Sequence, residues 1–390
     1  MNIPLIISVS SPGKVILFGE HSVVYGNYAL AASLSDMRTT LELYRLDSQE
    51  FIIDIQNDNY LPNTEYYNEQ NKYVMNVPNV IRLFQNLSLE DINSDPLISK
   101  DLLQKLKLEC SSLYSRTIIS FCYMFTHHSE YFLNEKNQGY YFRIYSNSLP
   151  CGAGLGSSSS LSVSLATIIY HLDHSKEFNH NPAFWNTPSH EQLISINKIA
   201  YISECIYHGT PSGVDNSVSC FGNAILFKKG SIEYKTCPSL SLLVVNTNIP
   251  KNTKELVSKV RHLRECIPTI IDPLFQSINE QIFYLLDSQN EDEYYERVQR
   301  IIPICQHILI SLGINHPSID YVTSAIQNYL HIPSKLTGAG GGGCVICFLP
   351  KELDFHKDSS FLSLVEELVK NNMNYYVTQV GGKGVQYYLP

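Results

Sequence analysis

Leu149-Pro150-Cys151-Gly152-Ala153-Gly154-Leu155-Gly156-Ser157-Ser158-Ser159-Ser160 runs without a break into LSVSLATIIYHL, and this stretch decides how the 390-residue chain is read. Glycines at alternate positions let a backbone turn tightly and approach a ligand closely. The apolar run behind them is helical in length and pattern. One serine of the run can cap that helix. The first-turn N–H groups and the helix dipole then face the loop, an arrangement suited to phosphate. No lysine follows the last glycine in the GxxxxGK[ST] form, so this is not a Walker-type loop. A flexible Gly/Ser linker would not enter an apolar helix directly.

Outward from this loop, strand-like and helix-like text alternate. LIISV and KVILF near the start are apolar and β-branched, and Ser11-Pro12-Gly13 stands between them. That spacing predicts two strands joined by a turn, with Lys14 on the turn. SVVYGNYALAASL, RTTLELYRL, FIIDI and YYFRIYSNS read as further strands, residues 57–80 and 175–190 as loops, and 96–135 as helical. EQLISINKIAYISECIYHG is a helix ended by Gly209, and TPSGVDNSVSCFGNAILF a turn leading into a strand or short helix. Near residue 230 the text changes. A Lys228-Lys229-Gly230 turn precedes the strand SLLVVNT, and helical text fills 251–330. A second glycine run, the strand CVICFL, a helix over 360–371 and the strand NYYVTQV close the chain. Two domains are expected, 1–232 and 233–390.

Composition narrows the function classes. Lys+Arg number 28 and Asp+Glu 37, a net charge of −9, with 44% hydrophobic and 17% charged residues. Such a chain folds rather than staying disordered. It has no basic excess of the kind a nucleic-acid binder carries. Ten cysteines are scattered and no secretory leader precedes them, so reduced thiols and a cytoplasmic location are expected. No apolar run reaches the 18 residues of a membrane span.

Three further segments carry candidate chemistry. Thr337-Gly338-Ala339-Gly340-Gly341-Gly342-Gly343 contains a formal GxGxxG, but a strand follows it where a dinucleotide fingerprint requires a helix. Lys14, with Glu20-His21 behind it, offers a point charge for a phosphate or a reacting hydroxyl. Asp215 in HGTPSGVDNSVS lies eleven residues after the helix residue Glu204; a carboxylate there can accept a hydroxyl proton or hold Mg²⁺. Cys344-x-x-Cys347 reads as buried thiols in a strand, His171-x-x-His174 lacks a third ligand, and His127-His128 reads as solvent-facing.

Together PGKVILFGEH, LPCGAGLGSSSS and KLTGAGGGGC, in this order, resemble the GHMP kinase family, and INKIAYISECIYHGTPSGVDNSVS is similar to the branch that phosphorylates mevalonate. The resemblance implies a two-domain α+β / α/β fold of mixed sheets with helices, the active site lying in the cleft between the domains. It implies ATP bound by Gly152, Ala153, Gly154, Leu155, Gly156, Ser157 and Ser158, and Mg²⁺ held by Ser158 and Glu204. Asp215 becomes the catalytic base and Lys14 the electrostatic stabiliser. The acceptor, mevalonate, meets Lys14, Glu20, His21, Asp215, Gly338, Ala339 and Gly340. A homodimer and inhibition by prenyl diphosphates are implied in the same way. Cys151 stands where many relatives have proline, which is expected to make the loop thiol-sensitive.

The chemistry is consistent with this. Phosphoryl transfer needs positioning and charge neutralisation more than covalent steps. Lys14 beside the reacting oxygen would stabilise a developing alkoxide. The alternatives are another small-molecule kinase of the family, such as one acting on phosphomevalonate, and a non-catalytic regulator with the same fold. Phosphomevalonate would want more Lys/Arg around it than the first motif offers. A regulator would have lost Lys14 or Asp215, and both are present.

Overall fold

The computed structural model describes residues 3–56, 72–94, 96–106, 108, 112–146, 148–178, 184–229, 231–250 and 252–390. Its first sheet has eight strands. They are β1 (Leu5–Phe18), β2 (Ala29–Leu46), β3 (Glu50–Gln56), β4 (Lys72–Asn76), β5 (Gly139–Tyr145), β6 (Ala224–Lys228), β7 (Ser231–Lys235) and the last strand of the chain, β12 (Gln386–Tyr388). The order is β12-β1-β2-β5-β3-β4, with β6 on the first part of β2 and β7 beyond β6. Among the described residues, only β3 and β5 run parallel. The second sheet, β11 (Asn374–Gln379), β8 (Ser241–Asn246), β10 (Cys344–Phe348) and β9 (Lys335–Thr337), is antiparallel throughout. Helices Thr253–Cys266, Pro268–Leu286, Glu291–Ser311 and Pro317–Leu330 fill the predicted helical stretch.

Several expectations change. LIISV and KVILF are one strand, not two with a turn between them. Ser11-Pro12-Gly13 is absorbed as a bulge: Pro12 faces Arg38 and Gly13 faces Leu34. The Cβ that Gly13 lacks would lie 2.5 Å from Leu149 and 2.7 Å from the Leu155 carbonyl, so the glycine serves a close approach rather than a reversal. Lys14 therefore sits in a strand. ALAASL and RTTLELYRL are likewise one long strand, β2. Within 57–80, residues 57–71 lie outside the described residues. The rest is the strand β4 and the start of helix Val77–Phe84, not loop. His127 and His128 are half-buried, His127 stacked on Tyr123 and bonded to the Phe84 carbonyl.

The strand β7 straddles residue 232 and pairs within the first sheet, and β12 brings the end of the chain back to β1. The two halves also share a core. Val15, Leu17 and Phe18 of β1 pack in one apolar cluster with Leu242–Val245 of β8 and Val345 of β10. A second cluster lies between the first sheet and helices Ser112–His128, Ser157–Asp173 and His190–His208. Among the described residues no helix is long and apolar enough to cross a membrane.

Candidate active site

The loop before helix Ser157–Asp173 takes the form its glycines allow. Gly152, Gly154 and Gly156 have φ of 71°, 85° and 76°, left-handed values that L side chains rarely adopt. Gly156 itself is the N-cap, and no side chain caps the helix. The serines expected to do so are used elsewhere. Ser160 Oγ donates to the Ser11 carbonyl (2.6 Å) and Ser164 to Ser11 Oγ (2.9 Å), tying the helix to β1. Ser159 and Ser162 donate to the two oxygens of Glu204 at 2.6 and 3.0 Å. The first-turn amides are thus left without a side-chain cap, the condition in which they can hold an anion.

The loop opens on a cavity of about 740 Å³. The Lys14 backbone amide donates to the Leu155 carbonyl (2.8 Å), which fixes β1 against the loop. A Cβ on Gly156 would lie 2.7 Å from Lys14 Cγ, so loop and lysine are packed with no room for a methyl. Lys14 Nζ reaches Asp215 Oδ2 at 3.1 Å; the lysine side chain is 8% exposed, the aspartate 40%. Asp215 lies in the first turn of helix Val214–Phe221 rather than in a turn, and Gly213 at φ 83° is that helix's N-cap. Helix His190–His208 ends at Gly209 as expected and presents Glu204 to the same cavity.

Glu204 is 1% exposed, and burial raises its pKa against the opposing pull of the Ser159 hydroxyl. Ser158 Oγ is 3.1 Å from His208 Nε2, which stands 3.7 Å from Glu204. Glu204 and Ser158 are hard oxygen donors of the kind Mg²⁺ takes when substrate phosphates and water supply the rest. Among the described residues, no cluster of three or more His, Cys, Asp or Glu could hold an ion unaided. The donor set fits a cation that arrives with a nucleotide.

On the opposite wall, Gly19 at φ 102° lets β1 turn, and His21 follows at φ 60°, uncommon for a side chain with a Cβ. His21 Nε2 is held by the Ala339 carbonyl at 3.0 Å, and burial lowers its pKa. Glu20 pairs with Lys335 of β9, a residue that sequence reasoning passed over because a lone lysine before a glycine run carries no signal. Gly338 and Ala339 reach the cavity. Gly340 is not among its lining residues; it packs on the Ile314 carbonyl, which a Cβ there would meet at 2.3 Å. Ala153 and Leu155 are buried behind the loop and do not line the cavity either. Cys151 lines it half-buried, and burial pushes its thiol up to about 12. Cys344 and Cys347 are fully buried in β10, as read.

Two walls were not foreseen. Ile55, Tyr114, Ile144 and Tyr207 form an apolar end beyond the glycine loop. Thr253, Lys254 and Val257 approach from the start of helix Thr253–Cys266. Besides Lys14, Lys254 is the one Lys or Arg among the described lining residues.

Comparison with known proteins agrees with this fold. Residues 121–223 match the GHMP kinases N terminal domain, and residues 292–361 the GHMP kinases C terminal domain. The chain is 33% identical over 395 residues to the mevalonate kinase of Schizosaccharomyces pombe, covering 97% of this chain and 90% of that one. It is 34% identical over 369 residues to that of Homo sapiens, covering 90% and 87%. The fold is shared with L. major mevalonate kinase solved in complex with R-mevalonate (TM-score 0.66, 18% identity, 96% of each chain). With both domains matched and a third of its residues shared along almost its whole length, the chain belongs to the GHMP kinase family, in its mevalonate kinase branch.

Proposed function

We propose that the protein transfers the γ-phosphoryl group of ATP to the primary alcohol of mevalonate, giving 5-phosphomevalonate for isoprenoid and sterol biosynthesis. The observation that carries this reading is the Lys14–Asp215 pair at 3.1 Å, set against an uncapped, glycine-led helix start. The amides from Gly152 to Ser158 cradle the phosphates, while Ala153 and Leu155 shape the loop from behind. Ser158 and Glu204 would hold Mg²⁺, which would supply charge neutralisation for the phosphates when bound. Asp215 accepts or orients the proton of the attacking hydroxyl, and Lys14 stabilises the charge growing on that oxygen. Glu20, His21, Gly338 and Ala339 face the acceptor, and Gly340 supports them from outside the cavity.

Phosphomevalonate as acceptor would bring a second anionic group. With Lys14 held by Asp215, Lys254 alone remains to meet it among the described lining residues, which favours an alcohol arm with a single carboxylate. Domains divided near residue 232, a homodimer, inhibition by prenyl diphosphates and a cytoplasmic location belong to the same reading and rest on family membership. ADP release with Mg-ATP tests the assignment, run against mevalonate, phosphomevalonate, galactose and homoserine. Turnover with mevalonate alone, lost in Asp215→Ala, is expected. Turnover with another of the four would move the substrate, and none at all would point to a regulator.

A further inference from the structure

Lys335 is fully buried, and its ammonium is engaged by Glu20 Oε1, by the Leu336 carbonyl at 2.7 Å and by the face of Phe18 at 5.7 Å. It does not line the cavity, whereas Glu20 does. The other oxygen of that carboxylate, Oε2, is buried and meets no well-aligned hydrogen-bond donor, the backbone amides of Gly338 and of Glu20 itself being the donors close enough to draw on the carboxylate. Burying two charges is expensive, and an apolar pair of similar volume would commonly be at least as stable. An unpaired buried acceptor adds a further cost unless something donates to it. An ion pair that leaves one oxygen without a well-aligned donor beside a ligand cavity has room for a donor that comes with the ligand.

We propose that Lys335 is a positioning residue for the phosphoryl acceptor: it keeps Glu20 ionised and turned so that Oε2 accepts the hydroxyl of mevalonate that does not react. This rests on the function proposed above. Mevalonate carries one carboxylate and two hydroxyls. The primary hydroxyl is taken by Asp215 and Lys14, and an anionic Glu20 repels the carboxylate, which leaves the tertiary hydroxyl as its donor.

The surroundings of Glu20 leave Lys335 as its counter-charge. His21, on the same turn, is tied to the Ala339 carbonyl, and Lys14 is turned to Asp215. Cys305, from helix Glu291–Ser311, is a thiol whose pKa burial pushes up to about 12. Burial pushes the Glu20 carboxyl upward, and Lys335 is the largest force opposing it. Without the lysine the carboxyl takes up its proton at higher pH and becomes a poorer acceptor.

The test is steady-state kinetics from pH 5.5 to 9 on wild type, Lys335→Met, Glu20→Gln and the double variant, with mevalonate and with 5-hydroxy-3-methylpentanoate, which lacks the tertiary hydroxyl. Wild-type turnover of mevalonate is the control, and its absence would sink the function and not this inference alone. In Lys335→Met, KM for mevalonate should rise on the order of 10- to 100-fold, the range for a hydrogen bond to a charged group, with KM for ATP little changed. The acid limb of kcat/KM for mevalonate should lie at higher pH than in wild type. The deoxy analogue should show no such loss. If Lys335→Met fails to fold, the double variant, which removes both charges, decides the matter: its KM for mevalonate should equal that of Glu20→Gln. The inference is overturned if Lys335→Met keeps wild-type KM and pH profile. It is also overturned if the analogue suffers the same loss as mevalonate, or if the double variant is worse than Glu20→Gln.

Discussion

Two lysine–carboxylate pairs join segments distant in sequence at one cavity, and they differ in almost every physical respect. Lys14–Asp215 is open on one side: the aspartate is 40% exposed and both residues line the cavity. Lys335–Glu20 has no exposure in either side chain, and only the carboxylate reaches the wall. The first pair can exchange its partner for a substrate oxygen at little cost, because water already shares the site. The second cannot break without leaving a bare charge in apolar surroundings. One arrangement suits a group whose charge must respond during the reaction, the other a group whose charge must stay fixed.

The largest effect expected from breaking this contrast is on turnover. Asp215→Ala should lower kcat by about 10²–10⁴, the range for loss of general acid–base help. Its melting temperature should fall less than that of Lys335→Met, since one partner of this pair is 40% exposed. A folded Asp215→Ala protein with near-native kcat would remove the aspartate from the chemistry. The buried pair should behave in the opposite way. Lys335→Met strands Glu20 and should lower unfolding free energy by about 3–5 kcal/mol in denaturant titrations. If Lys14→Met destabilised as much, the distinction between the pairs would be false.

A subtler change tests how the reactive pair is held. Gly156→Ala places a methyl 2.7 Å from Lys14 Cγ at a φ of 76°. The strain should cost about 1–2 kcal/mol of stability. Displacing Lys14 by a fraction of its own width should lower kcat by up to about 10²-fold, the scale on which small misplacements act. A variant destabilised but fully active would mean that the loop does not position the lysine.

How much of this the sequence displayed follows the same contrast. The glycine loop and its helix were legible because glycine spacing is a local signal, while Lys14, Glu204 and Asp215 were singled out through the family resemblance and line one cavity. Lys335 was not, because its meaning comes from Glu20, 315 residues away, and no local pattern marks that contact. Pro12-Gly13 misled for a related reason. Pro-Gly usually reverses a chain, but here neighbouring packing from Leu149 and Leu155 turns it into a bulge inside one strand. The serine run promised a cap, yet tertiary partners, Ser11 and Glu204, took its hydroxyls. A Lys-Lys-Gly turn and the strand text after it suggest a division near residue 232, and β7, which spans that residue, pairs with β6 of the first sheet.

The smallest effect concerns a third carboxylate, a buried one, which sharpens the comparison because no lysine pairs with it. Glu204 is satisfied by two serine hydroxyls, with His208 at 3.7 Å. Burial raises its pKa above the ordinary 4.5, so the folded protein holds that proton more tightly than the unfolded chain does. Its contribution to stability is then full below about 4.5 and is lost as pH rises through the raised value. At pH 8, without nucleotide, the charged group is a liability to the fold, tolerated for the cation it can receive. Glu204→Gln should therefore melt higher than wild type at pH 8, with the gain shrinking toward pH 5, while Mg-ATP-dependent turnover falls. Glu20→Gln should melt lower at pH 8, because it leaves Lys335 as the uncompensated charge. Thermal melts of both variants across that range check the opposite signs. Equal signs would mean that the lysine, and not burial alone, had been given too large a part in separating these carboxylates.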